Sequence, residues 1–314
     1  MTDEPARLDE ACAAAFLPMR DARGHKGTFG RLVVVAGSLD FAGAALMTGG
    51  AALRAGCGLV TLCLPGSLQP LLAGRMPELI TRGLPEDGAG GQLRGPEAAA
   101  VVLSQPHDAL VLGPGLPPGP GTSALVETIL ATPGPSVVVD AGALDALAGW
   151  PRWPDSVRRA CVLTPHAGEL RRLGREPGST DEERARVAAV TATDWRQVLV
   201  LKGAGTVIAA PGGRLLRAPF EVPALATAGS GDVLAGVIGS LLAQGLPPFD
   251  AAALGVYLHA RAGQDLGDEL GDAGLLATDL LARLPLVRRR LRDRRAAVVA
   301  AVSLMDTDPA DRLP

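Results

Sequence analysis

The run Ala226-Thr-Ala-Gly-Ser-Gly-Asp-Val-Leu-Ala-Gly236 holds the residues best placed to do chemistry. Small residues from 226 to 231 let the backbone approach a ligand closely. The apolar helical spacing from Val233 onward puts Gly229, Ser230 and Gly231 at a helix N-terminus. Unpaired amides and the positive end of the helix dipole would there face an anion such as a phosphate. Asp232 then has two readings. It is either a carboxylate that caps the helix, or a general base that takes the proton of a hydroxyl attacking a phosphoryl group.

Other polar or glycine-rich turns recur at regular intervals, each after a short apolar run. The runs Leu32–Ala36, Leu59–Leu64, Ala109–Leu112, Ser136–Asp140, Cys161–Leu163 and Val198–Leu201 alternate with Ala/Leu-rich segments. That alternation predicts a doubly wound α/β fold, a mostly parallel central sheet with helices on both faces. Ligands of such sheets bind beyond the carboxyl ends of the strands. Gly37-Ser38, Gly113-Pro-Gly115, Asp140, Thr164-Pro-His166 and Lys202-Gly203 all fall at such ends. Residues 205 to 217 read as a hairpin that adds antiparallel strands at one edge, and Val233–Ala243, Pro248–Gly267 and Leu275–Leu284 read as helices. Helix 43–55, which includes Arg54, is rich in small residues that suit packing on the sheet or against another subunit.

Composition narrows the functional classes. A net charge of −3 offers no basic field for a nucleic acid or an anionic membrane. Apolar stretches break before the roughly 18 residues of a membrane span. The four cysteines, Cys12, Cys57, Cys63 and Cys161, lack metal-ligand spacing and read as buried reduced thiols. The N-terminus, with Asp3, Glu4, Asp9 and Glu10, does not have the form of a secretory signal, so a cytoplasmic enzyme acting on small molecules is expected. The one strongly basic run, Arg288, Arg289, Arg290, Arg292, Arg294 and Arg295, reads as a solvated helix face, a flexible tail or an interface.

Thr-Ala-Gly-Ser-Gly-Asp resembles the anion-hole signature of ribokinase-like enzymes. Further motifs sharpen the resemblance: Lys26-Gly-Thr-Phe-Gly-Arg31, Ala42-Gly-Ala44, Ala51-Ala-Leu-Arg-Ala-Gly-Cys-Gly-Leu-Val60, Leu163-Thr-Pro-His-Ala-Gly-Glu169 and Leu201-Lys-Gly-Ala-Gly-Thr206. In order and spacing they are similar to the ADP-dependent NAD(P)H-hydrate dehydratase family. The resemblance spans about residues 20–285, leaving residues 1–19 as an N-terminal helical extension and 286–314 as a basic helical or flexible tail.

The resemblance implies nicotinamide nucleotide repair. The C6 hydroxyl of (6S)-NADHX or (6S)-NADPHX would be phosphorylated with ADP or ATP and Mg²⁺, and phosphate then eliminated. It implies Asp232 as the base and Gly229, Ser230 and Gly231 as the anion hole. Ala44, Gly115, His166 and Asp232 would contact the dinucleotide substrate. Lys202, Gly203, Ala204, Gly205, Thr206 and Gly231 would bind the nucleotide, while metal ligands are not assigned. It further implies a homo-oligomer served by an NAD(P)HX epimerase on a separate chain.

Blander readings stand beside these. His166 can be a structural histidine, Lys202 a surface lysine in a strand-to-hairpin turn, and His259 a packing residue in a long Ala-rich helix. Glu169 can cap a helix or orient a metal-bound water. Three positions depart from the family pattern: Gly142 replaces an aspartate, Pro117 a glycine, and Val222-Pro-Ala-Leu225 an Asn-x-Gly-Met segment. Those departures keep two alternatives open, an ATP-dependent kinase of a small vitamin-like alcohol and a nucleotide-binding sensor without turnover.

Overall fold

The computed structural model describes residues 4–88 and 92–305, with side chains to residue 296. Residues 1–3 of the N-terminal extension and 306–314 of the basic C-terminal segment lie outside the described residues. Ten strands form one sheet among them: β1 (Ala6–Arg7), β2 (Arg31–Val35), β3 (Leu59–Pro65), β4 (Ile80–Leu84), β5 (Ala109–Leu112), β6 (Val137–Val139), β7 (Cys161–Leu163), β8 (Val198–Leu201), β9 (Val207–Ala209) and β10 (Leu215–Arg217). Their order across the sheet is β1-β10-β9-β8-β7-β6-β5-β2-β3-β4. Pairing is parallel from β8 to β4, whereas β9 runs antiparallel to both β8 and β10. The expected hairpin is thus present, and β1 adds a further strand outside it, parallel to β10.

Strands β5 to β8 are apolar at every position because both faces of the sheet are covered. Successive side chains point to opposite faces. Val34, Leu62, Val111, Val138 and Val200 accordingly join one core, and Val33, Val35, Leu110, Leu112, Val139 and Leu201 the other. Against the first core pack the helices Ala42–Arg54, Ser230–Ala243 and Pro248–Leu270, together with Glu10–Phe16 and Ala277–Met305. The second is covered by Gly95–Leu103, Pro120–Ala131, Gly142–Ala148, Ala167–Arg172 and Asp181–Trp195.

The small-residue helix Ala42–Arg54 finds its partner within the chain. A Cβ on Gly236 would come within 2.2 Å of the Thr48 carbonyl oxygen. Only glycine lets the helix Ser230–Ala243 cross this closely, which ties the position of its N-terminus to that of Ala42–Arg54. The cysteines are unpaired, with Cys57, Cys63 and Cys161 buried and Cys12 partly so. Burial pushes the thiols up to about 11 for Cys57 and about 12 for Cys63 and Cys161.

The basic run does not begin a separate tail. Helix Ala277–Met305 continues through Pro285, with Leu284, Val287 and Leu291 in the first core. Arg288 turns inward and donates to the Ala55 carbonyl (2.8 Å) and Gln244 Oε1 (3.1 Å). Arg290 pairs with Asp265, and Arg295 donates to the Leu17 carbonyl. No described helix is long and apolar enough to cross a membrane.

Candidate active site

The chain lays β2, β3 and β4 outward and then returns to add β5 on the other flank of β2. The crevice between the carboxyl ends of β2 and β5 is therefore the switch point of the sheet. The turns after these two strands meet there, with the Gly37 amide donating to the Pro114 carbonyl at 2.8 Å. Gly115 has φ of +63°, and a Cβ on it would lie 2.8 Å from the Ala44 Cβ and 2.9 Å from the Phe41 carbonyl oxygen. Ala44 and Gly115, expected from separate motifs, thus stand against each other. Phe41, which begins the helix, is exposed beside them and was no candidate on sequence.

The second half of the site sits at the ends of β6, β7 and β8. Gly229 is the N-cap of Ser230–Ala243, with φ of +87°, and a Cβ on it would come within 2.4 Å of Met47 Sδ. This conformation and this approach exclude a side chain. The amides of Gly231 and Asp232 fall in the first turn, where no carbonyl four residues back can accept them. Beside Gly231 lies an ion pair: a Cβ on that glycine would be 3.6 Å from Lys202 Nζ and 3.9 Å from Asp140 Oδ2.

Lys202 is not a surface lysine. Its ammonium is held 2.9 Å from Asp140 Oδ1 and 3.5 Å from Glu169 Oε2. Burial alone would lower its pKa, but the two carboxylates outweigh burial and raise it, so the charge is kept. Asp140 is 2 % exposed and also accepts from Thr164 Oγ1 at 2.8 Å. The residue after it, Ala141, has φ of +46° and ψ of −118°, a strained conformation costing about 1–3 kcal/mol that turns the chain away from Asp140. Position 142 has little room, since a Cβ there already approaches the Leu116 carbonyl oxygen to 2.9 Å. An aspartate at this position would require that loop to shift.

Asp232 stands in the first turn with its pKa raised to about 7. Burial is the main cause, the negative charge of Asp140 adds to it, and Lys202 opposes it. A carboxyl held near neutrality can take up and release a proton under physiological conditions.

His166 caps the helix Ala167–Arg172. Its Nδ1 accepts from the Gly168 amide at 2.9 Å, while Glu169 Oε2 accepts from the His166 amide at 2.8 Å. Glu169 thus caps the helix, and the same oxygen also faces Lys202. The His166 ring stays half exposed, with Nε2 3.6 Å from Glu169 Oε2.

The turn Gly203-Ala-Gly-Thr206 is closed by Thr206 Oγ1, which donates to the Gly203 carbonyl at 2.8 Å. Arg184 braces it from behind, donating to the Leu201 and Lys202 carbonyls. Sequence reasoning missed Arg184, because no motif marks a single arginine on a distant helix. Between this turn and the start of helix Ser230–Ala243 opens a pocket of about 760 Å³, a size that suits a nucleotide. His166, Lys202, Gly203, Ala204, Thr206, Ser230 and Gly231 line it, and the segment Val222–Ala226 forms an apolar wall. His259 also lines it, buried and 3.0 Å by Nε2 from Ser230 Oγ. It is more than the packing residue its Ala-rich helix suggested. Among the described residues no three His, Cys, Asp or Glu side chains group closely enough to cage a metal ion.

A mostly parallel sheet covered by helices, with a switch-point crevice and a glycine-rich helix N-terminus beside a buried carboxyl, is the architecture of a ribokinase-like protein. A ribokinase-like superfamily protein from Enterococcus faecalis has a TM-score of 0.76 at 25 % identity, covering 91 % of this chain and 96 % of that one. The chain belongs to the NAD(P)H-hydrate dehydratase family, whose model matches residues 32–286. It is 38 % identical to the ADP-dependent (S)-NAD(P)H-hydrate dehydratase of Xanthomonas campestris, over 93 % of this chain and 99 % of that protein. It is 43 % identical to the bifunctional NAD(P)H-hydrate repair enzyme of Moorella thermoacetica, covering 94 % of this chain but 56 % of that protein. The chain thus spans about half the length of the bifunctional relatives. The structure of the ADP/ATP-dependent NAD(P)H-hydrate dehydratase from Bacillus subtilis, co-crystallised with ATP/Mg²⁺, has a TM-score of 0.80 at 34 % identity, covering 92 % and 99 % of the two chains.

Proposed function

We propose that this protein repairs hydrated nicotinamide nucleotides, converting (6S)-NADHX and (6S)-NADPHX to NADH and NADPH with ADP as the phosphoryl donor. The observation that best supports this reading is the Asp232 carboxyl. Its pKa is raised to about 7 beside the open amides at the start of Ser230–Ala243, a helix that crosses closely over Ala42–Arg54, which carries Ala44 against Gly115.

Asp232 takes the proton of the C6 hydroxyl as its oxygen bonds to the β-phosphorus of ADP and the bond to AMP breaks. The amides of Gly231 and Asp232 stabilise charge on the phosphoryl group in flight. The C6–O bond then breaks with phosphate as the leaving group, C5 loses a proton, and the dihydronicotinamide is restored. Lys202, neutralised by Asp140 and Glu169, fixes the wall beside Gly231 rather than adding a free cation.

A magnesium ion fits this site if phosphate oxygens and water supply most of its ligands, as is usual for the ion in nucleotide sites. Asp140 Oδ2, which faces Gly231, is the carboxylate oxygen placed to share in holding it, and the ion would offset phosphate charge. The same reading places the protein in the cytoplasm, as a homo-oligomer acting with an NAD(P)HX epimerase carried on a separate chain.

The test is spectroscopic. Purified protein is mixed with NADHX, Mg²⁺ and either ADP or ATP, and NADH absorbance is followed. No recovery with either nucleotide sinks the reading, and a stable phosphorylated product without NADH points to a kinase. Asp232→Asn is expected to lower kcat by about 10²–10⁴-fold while leaving nucleotide affinity nearly unchanged.

A further inference from the structure

His259 lies in the middle of helix Pro248–Leu270, far along the chain from any of the motifs that mark the site. It is nonetheless one of the few buried polar side chains on the pocket wall, 8 % exposed, with Nε2 3.0 Å from Ser230 Oγ. Ser230 is the first residue of the anion-hole helix and is itself 6 % exposed. Val256, Ala260 and Leu234 line the same wall and surround the pair with apolar groups. Burial, helped by the Lys202 ammonium, pushes the His259 imidazolium pKa down to about 4, so the ring is neutral wherever the protein works.

A neutral imidazole has one proton, and a serine hydroxyl has one. If the serine donates to Nε2, its oxygen offers a bound phosphate only lone pairs, which repel it. If Nε2 carries the ring proton and donates to Oγ, the hydroxyl proton is released to point at the anion. A phosphate in the pocket selects the second arrangement. We propose that His259 is a positioning residue for phosphoryl transfer: its Nε2–H donates to Ser230 Oγ and turns the serine hydroxyl into an added donor of the anion hole. The inference rests on the anion-hole reading of residues 229 to 231.

Two measurements on the full chain test it. In the first, kcat and KM are compared for His259→Leu, which removes the donor, His259→Gln, whose amide N–H reaches about the place of Nε2–H, Ser230→Ala, and the double variant Ser230→Ala/His259→Leu. The expected result is a kcat about 10- to 100-fold lower for H259L with KM for NADHX little changed. H259Q should recover most of the loss, and the double variant should be no slower than S230A. Additive losses in the double variant, or H259Q as slow as H259L, would overturn the proposal.

The second measurement needs no turnover and no variant. In wild-type protein labelled with ¹⁵N-histidine, four histidines give resolvable ring signals, and ADP or ATP with Mg²⁺ is added. His259 should show a protonated Nε2 and a bare Nδ1 in the bound state, unchanged from pH 5.5 to 8. A bare Nε2 in the bound state refutes the assignment. If wild type leaves NADHX unrepaired but the ring signals behave as expected, the dehydratase reading fails and the role of His259 stands.

Discussion

At the scale of single residues, Asp232 makes a distinctive pH dependence. Its folded pKa of about 7 lies above that of an unfolded aspartate, so the fold favours the protonated form. The group's contribution to stability is therefore fully present below about pH 4 and is lost as pH rises through 7. Activity runs the other way, since only the carboxylate accepts a proton. Turnover is expected to climb through pH 7 to a plateau, as a pH-rate profile would show. Asp232→Asn should gain almost nothing in stability at pH 4 and roughly 4 kcal/mol at pH 8, read from urea denaturation. Asp140 raises the Asp232 pKa, so Asp140→Asn should move the acid limb of the profile to lower pH while reducing its plateau, because Lys202 loses its main partner. A limb that stays in place would show that Asp140 does not tune the base. Asp232 and the glycines before it were legible in the sequence as a contiguous turn. The Asp140–Lys202 pair was not, since its members are 62 residues apart and only the sheet order β6-β7-β8 brings them together.

At the scale of elements, the site depends on how closely Ser230–Ala243 crosses Ala42–Arg54, because one helix carries the Gly229–Asp232 turn and the other carries Ala44. Gly236→Ala must push the Thr48 backbone away, and a cost of about 1–3 kcal/mol in denaturant titration is expected. Gly74→Ala, which meets nothing within 4 Å, should stay within about 0.5 kcal/mol of wild type. The six strands read from apolar runs correspond to β2, β3, β5, β6, β7 and β8 to within a residue at each end. Strand β4 escaped notice because Thr81, Arg82 and Gly83 interrupt any apolar run. An edge strand needs only one covered side, and its residues here are partly open to solvent. Strand β1 has two exposed residues, too few to leave a pattern. The strained Ala141 that launches the helix after Asp140 was not legible, since nothing in an alanine foretells a positive φ.

At the scale of the whole molecule, described residues near both ends of the chain pack into the first core, Leu8 and Leu17 at one end and Leu284, Val287 and Leu291 at the other. Leu291→Ala is expected to cost about 2–5 kcal/mol, whereas Arg289→Ala, on the solvent side of the same helix, should change stability by less than about 0.5 kcal/mol. Equal effects at the two positions would mean that the C-terminal helix adds little to the fold. Composition pointed to a solvated face because an arginine run is usually one. The inward half of this run is instead stabilised by carbonyls at Ala55 and Leu17 and by the Asp265 carboxylate, none of which could be paired with it from sequence.

The pairing of β1 with β10 joins Ala6 to Leu216 and so sets a timetable for synthesis. A ribosome adding 5–20 residues each second needs roughly 10–40 s to make the chain between them. Through that interval β2 to β8 can pair in the order they emerge, while the first strand has no neighbour. The N-terminal strand is therefore among the last pieces of the sheet to pair.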